Sequence, residues 1–97
     1  MLTHVVFFKL VDPSPAEAAA VRDRMLAMRD QIPQIRHIEG GADVVRSERS
    51  WDVALIVRFD GRADLDAYLV HPAHVAFASW LRPRREPATC VVDYESP

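Results

Sequence analysis

Trp51-Asp52-Val53-Ala54-Leu55-Ile56-Val57-Arg58-Phe59 decides how this chain folds. A polar turn, Ser47 to Ser50, precedes it and Asp60-Gly61 follows it, so the run reads as a strand. Side chains alternate along a strand, which puts Trp51, Val53, Leu55, Val57 and Phe59 on one side and Ala54 and Ile56 on the other. A sheet with one solvated face should alternate apolar with polar, and this strand does not. The segment Leu2 to Val11 repeats the pattern, with Val6, Phe8 and Leu10 on one side and Val5 and Phe7 on the other. Each large apolar side chain left in water forgoes about 1.5–3 kcal/mol. Two-sided apolar strands therefore predict a homodimer in which two sheets meet face to face about a two-fold axis.

The remaining elements follow from local signals. Asp12-Pro13 stops the first strand, and Ser14-Pro15-Ala16-Glu17 starts a helix with a cap, a proline at its first position and a glutamate able to close a capping box. Ala18, Val21, Met25, Met28 and Ile32 form one apolar stripe, which Pro33 ends. Arg36 to Arg46 reads as a second strand in which Gly40-Gly41 marks a bulge or a close backbone approach. Ala63 to about Arg82 is a second helical region broken at Pro72, and Ala88 to Glu95 is the last strand. The order is β-α-β-β-α-β, an α+β, ferredoxin-like arrangement with both helical regions on one face of a four-stranded antiparallel sheet. The homodimer then forms through the sheet face opposite the helices.

Composition narrows the function. With 97 residues the chain is one domain, 49% apolar and 27% charged, as in ordinary globular proteins. A net charge of −2 gives no reason to expect nucleic acid. Arg82-Pro83-Arg84-Arg85 is the only basic run and reads as a solvated helix end. The single cysteine, Cys90, fits a reducing compartment and is expected to be buried in its apolar strand. No apolar stretch approaches the roughly 20 residues that span a bilayer, and no secretory signal is visible, so a cytoplasmic location is the expectation.

Chemistry concentrates in Tyr68-Leu69-Val70-His71-Pro72-Ala73-His74. Tyr68, His71 and His74 follow at spacings of three, which places them on one face of a helix, and such rings exchange protons near neutral pH. The structural alternative makes Tyr68 a core aromatic, His71 an N-cap and His74 a surface residue. His37 and Tyr94 read as surface and edge residues. His71 and His74 lack a second cluster of ligands, so no metal site is expected.

This stretch resembles the signature of the stress-responsive dimeric α/β-barrel family, Dabb. His4-Val5-Val6-Phe7-Phe8-Lys9, the opening of the Trp51 strand and Val91-Val92-Asp93-Tyr94-Glu95 agree with it along nearly the whole chain. The resemblance implies a dimeric α/β barrel. It also implies roles taken from aromatic polyketide cyclases of the olivetolic-acid type: His74 as base on a carbon next to a carbonyl, and Tyr68 holding the carbonyl or enolate oxygen. Those cyclases carry a further histidine where this chain has Val53, which cannot polarise a polyketide.

His4 shares a face with Val6 and Phe8, so it is expected beside Tyr68 and His74 as an assisting residue. The expected lining draws Val6 and Phe8 from the first strand, Met25 and Met28 from the first helix, and Val53 and Val57 from the third strand. Phe77, Trp80 and Leu81 complete it from the second helical region. Two functions stay open: acid/base chemistry on a small apolar carbonyl or aromatic compound without a cofactor, or non-catalytic binding of such a molecule by a dimer.

Overall fold

The computed structural model describes residues 1–97. Strand β1, Leu2–Leu10, leads into helix α1, Pro15–Leu26, which a 3₁₀ turn, Ala27–Asp30, extends. Strands β2, His37–Ala42, and β3, Val53–Phe59, follow. Helices α2, Arg62–Val70, and α3, Pro72–Leu81, precede the long β4, Arg85–Glu95. All strand pairs are antiparallel, in the order β2-β3-β1-β4, so the ferredoxin-like arrangement is the observed one. No helix is long and apolar enough to cross a membrane.

The helices cover one face. Val6, Phe8, Leu55, Val57 and Phe59 are buried there in one core with Ala18, Val21 and Met25 of α1 and with Met28 and Ile32 just beyond it. Burying side chains of this size supplies the main driving force, about 1.5–3 kcal/mol each. On the open face Phe7 remains 39% exposed, and on β4 Val92 and Tyr94 are 61% and 46% exposed. Cys90 pairs with Phe7 and so shares the open face, where it is exposed, against the expectation of burial.

The choice left open at Gly40-Gly41 is decided, and two local expectations need correction. Gly40 and Gly41 pair in register with Leu55 and Ala54, so β2 has no bulge. Gly40 instead permits a close approach, since a Cβ there would lie 3.2 Å from the Ala54 carbonyl oxygen and 3.3 Å from the Met25 Sδ. The sheet's irregularity falls between Phe8 and Leu10, opposite β4.

The capping box is half formed. Ser14 Oγ accepts from the Glu17 N–H at 3.2 Å, but the Ser14 N–H donates to Asp12 Oδ1 at 3.0 Å, and Glu17 approaches Arg84 at 3.7 Å.

Trp51 does not share the face of Val53. Regular strand begins only at Val53, because Asp52 is drawn inward: its Oδ2 accepts the Leu10 N–H at 2.7 Å and its Oδ1 accepts from Arg46 at 2.6 Å. Burial alone would raise the Asp52 carboxyl, and these donors outweigh it and hold it below the ordinary value. Trp51 thus emerges on the open face, with the Lys9 ammonium 5.2 Å from its ring centre.

Candidate functional site

The break between α2 and α3 builds the site. Preceding a proline, His71 is held extended at ψ 138°, so α2 stops there and α3 restarts. The His71 N–H closes α2 on the Tyr68 carbonyl at 3.1 Å, and its Nδ1 caps α3 by accepting the Ala73 N–H at 3.0 Å. His71 is therefore an N-cap, and its ring is spent on structure. His74, in the first turn of α3, reaches back so that Nδ1–H donates to the Leu69 carbonyl at 3.0 Å. That bond satisfies a carbonyl left free at the end of α2. It also fixes the neutral tautomer with Nε2 as the free acceptor.

Tyr68, His74 and His4 converge. The Tyr68 and His74 ring centres are 4.5 Å apart, and His4 stands 5.9 Å from Tyr68 in an edge-on contact. All three border one cavity of about 210 Å³ between the helices and β1. The Tyr68 side chain is 0% exposed, and its hydroxyl has no hydrogen-bond partner. Burial pushes the phenol far above its ordinary value, so it stays protonated and able to donate. Burial likewise lowers the His74 imidazole, helped by His4 and opposed by the bond to Leu69, so His74 is a neutral base at pH 7.

A partner that sequence reading missed holds His4. Asp93 lies directly across from it on β4, and the His4 Nδ1–H donates to Asp93 Oδ1 at 2.5 Å. The carboxylate fixes the ring orientation and leaves Nε2 as the free nitrogen. The two residues are 89 apart in sequence, so only the strand register could have revealed the pair.

Of the expected lining, Val6, Phe8, Phe77 and Leu81 border the cavity. Met25, Met28, Val53 and Val57 do not; they pack into the core between α1 and the sheet, each no more than 2% exposed. Trp80 is also outside, with the Arg24 and Arg84 guanidiniums 5.0 and 4.3 Å from its ring centre. The cavity recruits Leu55, Arg82, Arg85, Thr89 and Val91 instead, the last two from uncovered β4. No group of histidine, cysteine and carboxylate side chains is arranged to hold a metal ion. A larger hollow of about 370 Å³ lies on the open face beside Phe7, Trp51 and Ala54, lined by no histidine or tyrosine.

Known proteins agree with this architecture. A dimeric protein of unknown function with a ferredoxin-like fold from Bacteroides fragilis NCTC 9343 is 35% identical, with 98% of this chain and 95% of that chain covered and a TM-score of 0.81. A Dabb family protein from Mesorhizobium loti is 24% identical over 99% of this chain and 96% of its own, at a TM-score of 0.72. The hydroxynitrile lyase of Passiflora edulis shares the fold at 18% identity, with 96% and 90% covered and a TM-score of 0.79. No curated protein matches the chain. Residues 2–96 match the family described as the Stress responsive A/B Barrel Domain. The chain belongs to that family, Dabb, as its strand order and its Tyr68-to-His74 junction led one to expect.

Proposed function

We propose that the chain acts as a homodimer whose cavity performs acid/base chemistry, of an enolate, cyclase- or lyase-like kind, on a small carbonyl compound. The observation that carries this reading is a neutral imidazole, its Nε2 unpartnered, beside a protonated phenol with no hydrogen-bond acceptor. An orphaned buried hydroxyl costs about 1–3 kcal/mol, and a ligand oxygen at the base of the cavity would relieve that cost.

His74 Nε2 takes the proton from the carbon beside the carbonyl, the electron pair moves onto the carbonyl oxygen, and the Tyr68 O–H donates to the developing charge. His74 then returns the proton to the substrate. His4, steadied by Asp93, assists from the same wall. A cavity of about 210 Å³ is smaller than the roughly 300–1,000 Å³ of drug-sized sites and larger than the roughly 150 Å³ that encloses benzene. It suits a single-ring compound better than an extended polyketide.

Dimerisation through the open face is supported by its exposed apolar groups and by the dimeric Bacteroides fragilis relative. The hollow beside Phe7 and Trp51 offers a partner side chain a seat. A cytoplasmic protein of the stress response is the setting that the single cysteine and the family's name favour.

One observation favours a second reading. The Tyr68 hydroxyl is sealed from solvent, as suits a non-catalytic binding dimer in which both histidines merely pack on the phenol. Fold does not choose between them, since one scaffold hosts many functions, the Passiflora edulis lyase among them.

Solvent deuterium incorporation into 1-phenylpropan-2-one and cyclohexanone, followed by NMR, tests the choice. Acceleration over buffer is expected, lost in His74→Ala and lowered about 10²–10³-fold in Tyr68→Phe. A thermal shift by these ketones without exchange would select the binding reading.

A further inference from the structure

The basic run at the end of α3 divides. Arg84 turns away from the cavity: its guanidinium donates to the Trp80 carbonyl at 2.7 Å, covers the Trp80 ring and faces Glu17. Arg82, exposed, and Arg85, half-buried, line the cavity instead, at its solvent end. Although acidic residues outnumber basic ones by 14 to 12, neither of these two guanidiniums has a carboxylate partner. Arg85 donates only to the carbonyls of Glu86 and Pro87, each at 3.0 Å, and Arg82 makes no side-chain hydrogen bond. No carboxylate lines the cavity, and the nearby Asp93 is bonded to His4. Thr89 adds a hydroxyl on the β4 side of the same mouth.

We infer that the ligand of this cavity carries a carboxylate, held at the mouth by Arg82 and Arg85, on a small apolar skeleton whose carbonyl points inward. Guanidinium groups bind carboxylates through paired charge-assisted hydrogen bonds, which no carbonyl-only partner replaces. The apolar wall of Val6, Phe8 and Phe77 between mouth and base takes the skeleton. A 4-acylbenzoate, with its carboxylate and its ketone at opposite ends of one ring, meets all three demands. This inference deepens the acid/base reading of the same cavity, and the two can fail separately.

4-Acetylbenzoate, its methyl ester and acetophenone form a matched series for calorimetric binding to the dimer, with deuterium exchange measured on the acetyl group of each. The anion is expected to bind at least tenfold tighter than either neutral probe, with a preference that shrinks as salt rises. Arg82→Gln/Arg85→Gln should collapse that preference, and Arg82→Lys/Arg85→Lys should keep most of it, which separates charge from folding. Failure of 4-acetylbenzoate to bind, equal binding of the ester, or a preference that survives the double glutamine variant would overturn carboxylate recognition. Arginine-dependent binding without exchange would uphold it while sinking the acid/base reading. Exchange of the neutral ketone as fast as the anion would do the reverse.

Discussion

The two faces of the sheet carry similar side chains and meet different surroundings. Toward the helices, Val6, Phe8, Leu55 and Val57 are buried among α1, α2 and α3. Toward the open side, Phe7 stays exposed and Val5, Ala54 and Ile56 are half-buried. The first face stabilises the monomer; the second stabilises only what covers it. The difference also explains where polar chemistry sits. Tyr68 and His74 lie on the helix side, where burial shifts their titration, whereas the open face carries its polar groups in water, as in the exposed His37–Glu39 pair, and the Lys9–Trp51 contact near its hollow.

Substitutions can break this contrast from either side. The largest effect is expected on the covered face: Phe59→Ala removes a fully buried ring that also packs 5.1 Å from Tyr68, and should cost about 3–5 kcal/mol in denaturant unfolding. Phe7→Glu strikes the open face. It should dissociate the dimer in sedimentation while far-ultraviolet circular dichroism stays that of a folded chain, because an unpaired carboxylate resists burial in an apolar interface. A variant that remained dimeric would move the interface elsewhere.

Asp52→Ala tests the point where the strand changes sides. Its loss orphans the Leu10 N–H, for an expected cost of about 1–3 kcal/mol. The wild-type carboxyl sits below its ordinary value, so its contribution is present above pH 3.8 and fades as pH falls through the folded value; the variant's melting point should lack that acid-side slope. Ser14→Ala should cost about 0.5–2 kcal/mol through the lost Glu17 cap, read from the denaturation midpoint.

The smallest effect concerns His74. Its ring titrates below 6.5 in the folded state, so the unfolded chain binds the proton first as pH falls. Stability should decline from pH 6.5 downward and be flat above it, and His74→Gln should remove that decline. A decline above pH 6.5 instead would mean that His74 gains its proton on folding.

The sheet order was legible because Pro13, Pro33, Asp60-Gly61 and Pro83 punctuate runs of clear period. His4 was legible on the Val6 and Phe8 side from strand alternation, but the three-residue spacing did not bring Tyr68 and His74 together: they sit on separate helices, and the break at His71 turns His74 back over the phenol. What failed was nonlocal. Met25 and Val57 are as apolar as Phe8 and Leu81, and only the offset of α1 from α3 across the sheet decides which pair meets a cavity and which meets the core. Asp93 and Arg85 gain their roles from the register and edge position of β4, which no run of residues encodes by itself. Trp51 went astray because a buried bond from Leu10 to Asp52 outweighed the alternation that its neighbours obey.

His71 makes the two halves of the site separate levers. Tyr68 rides on α2 and His74 on α3, and the joint between them is one extended residue spanned by the bond from His74 to the Leu69 carbonyl. Displacing α3 relative to α2 costs that one bond and, with it, the tautomer it fixes, so the orientation of the His74 ring over the phenol depends on a contact made between the helices rather than within either.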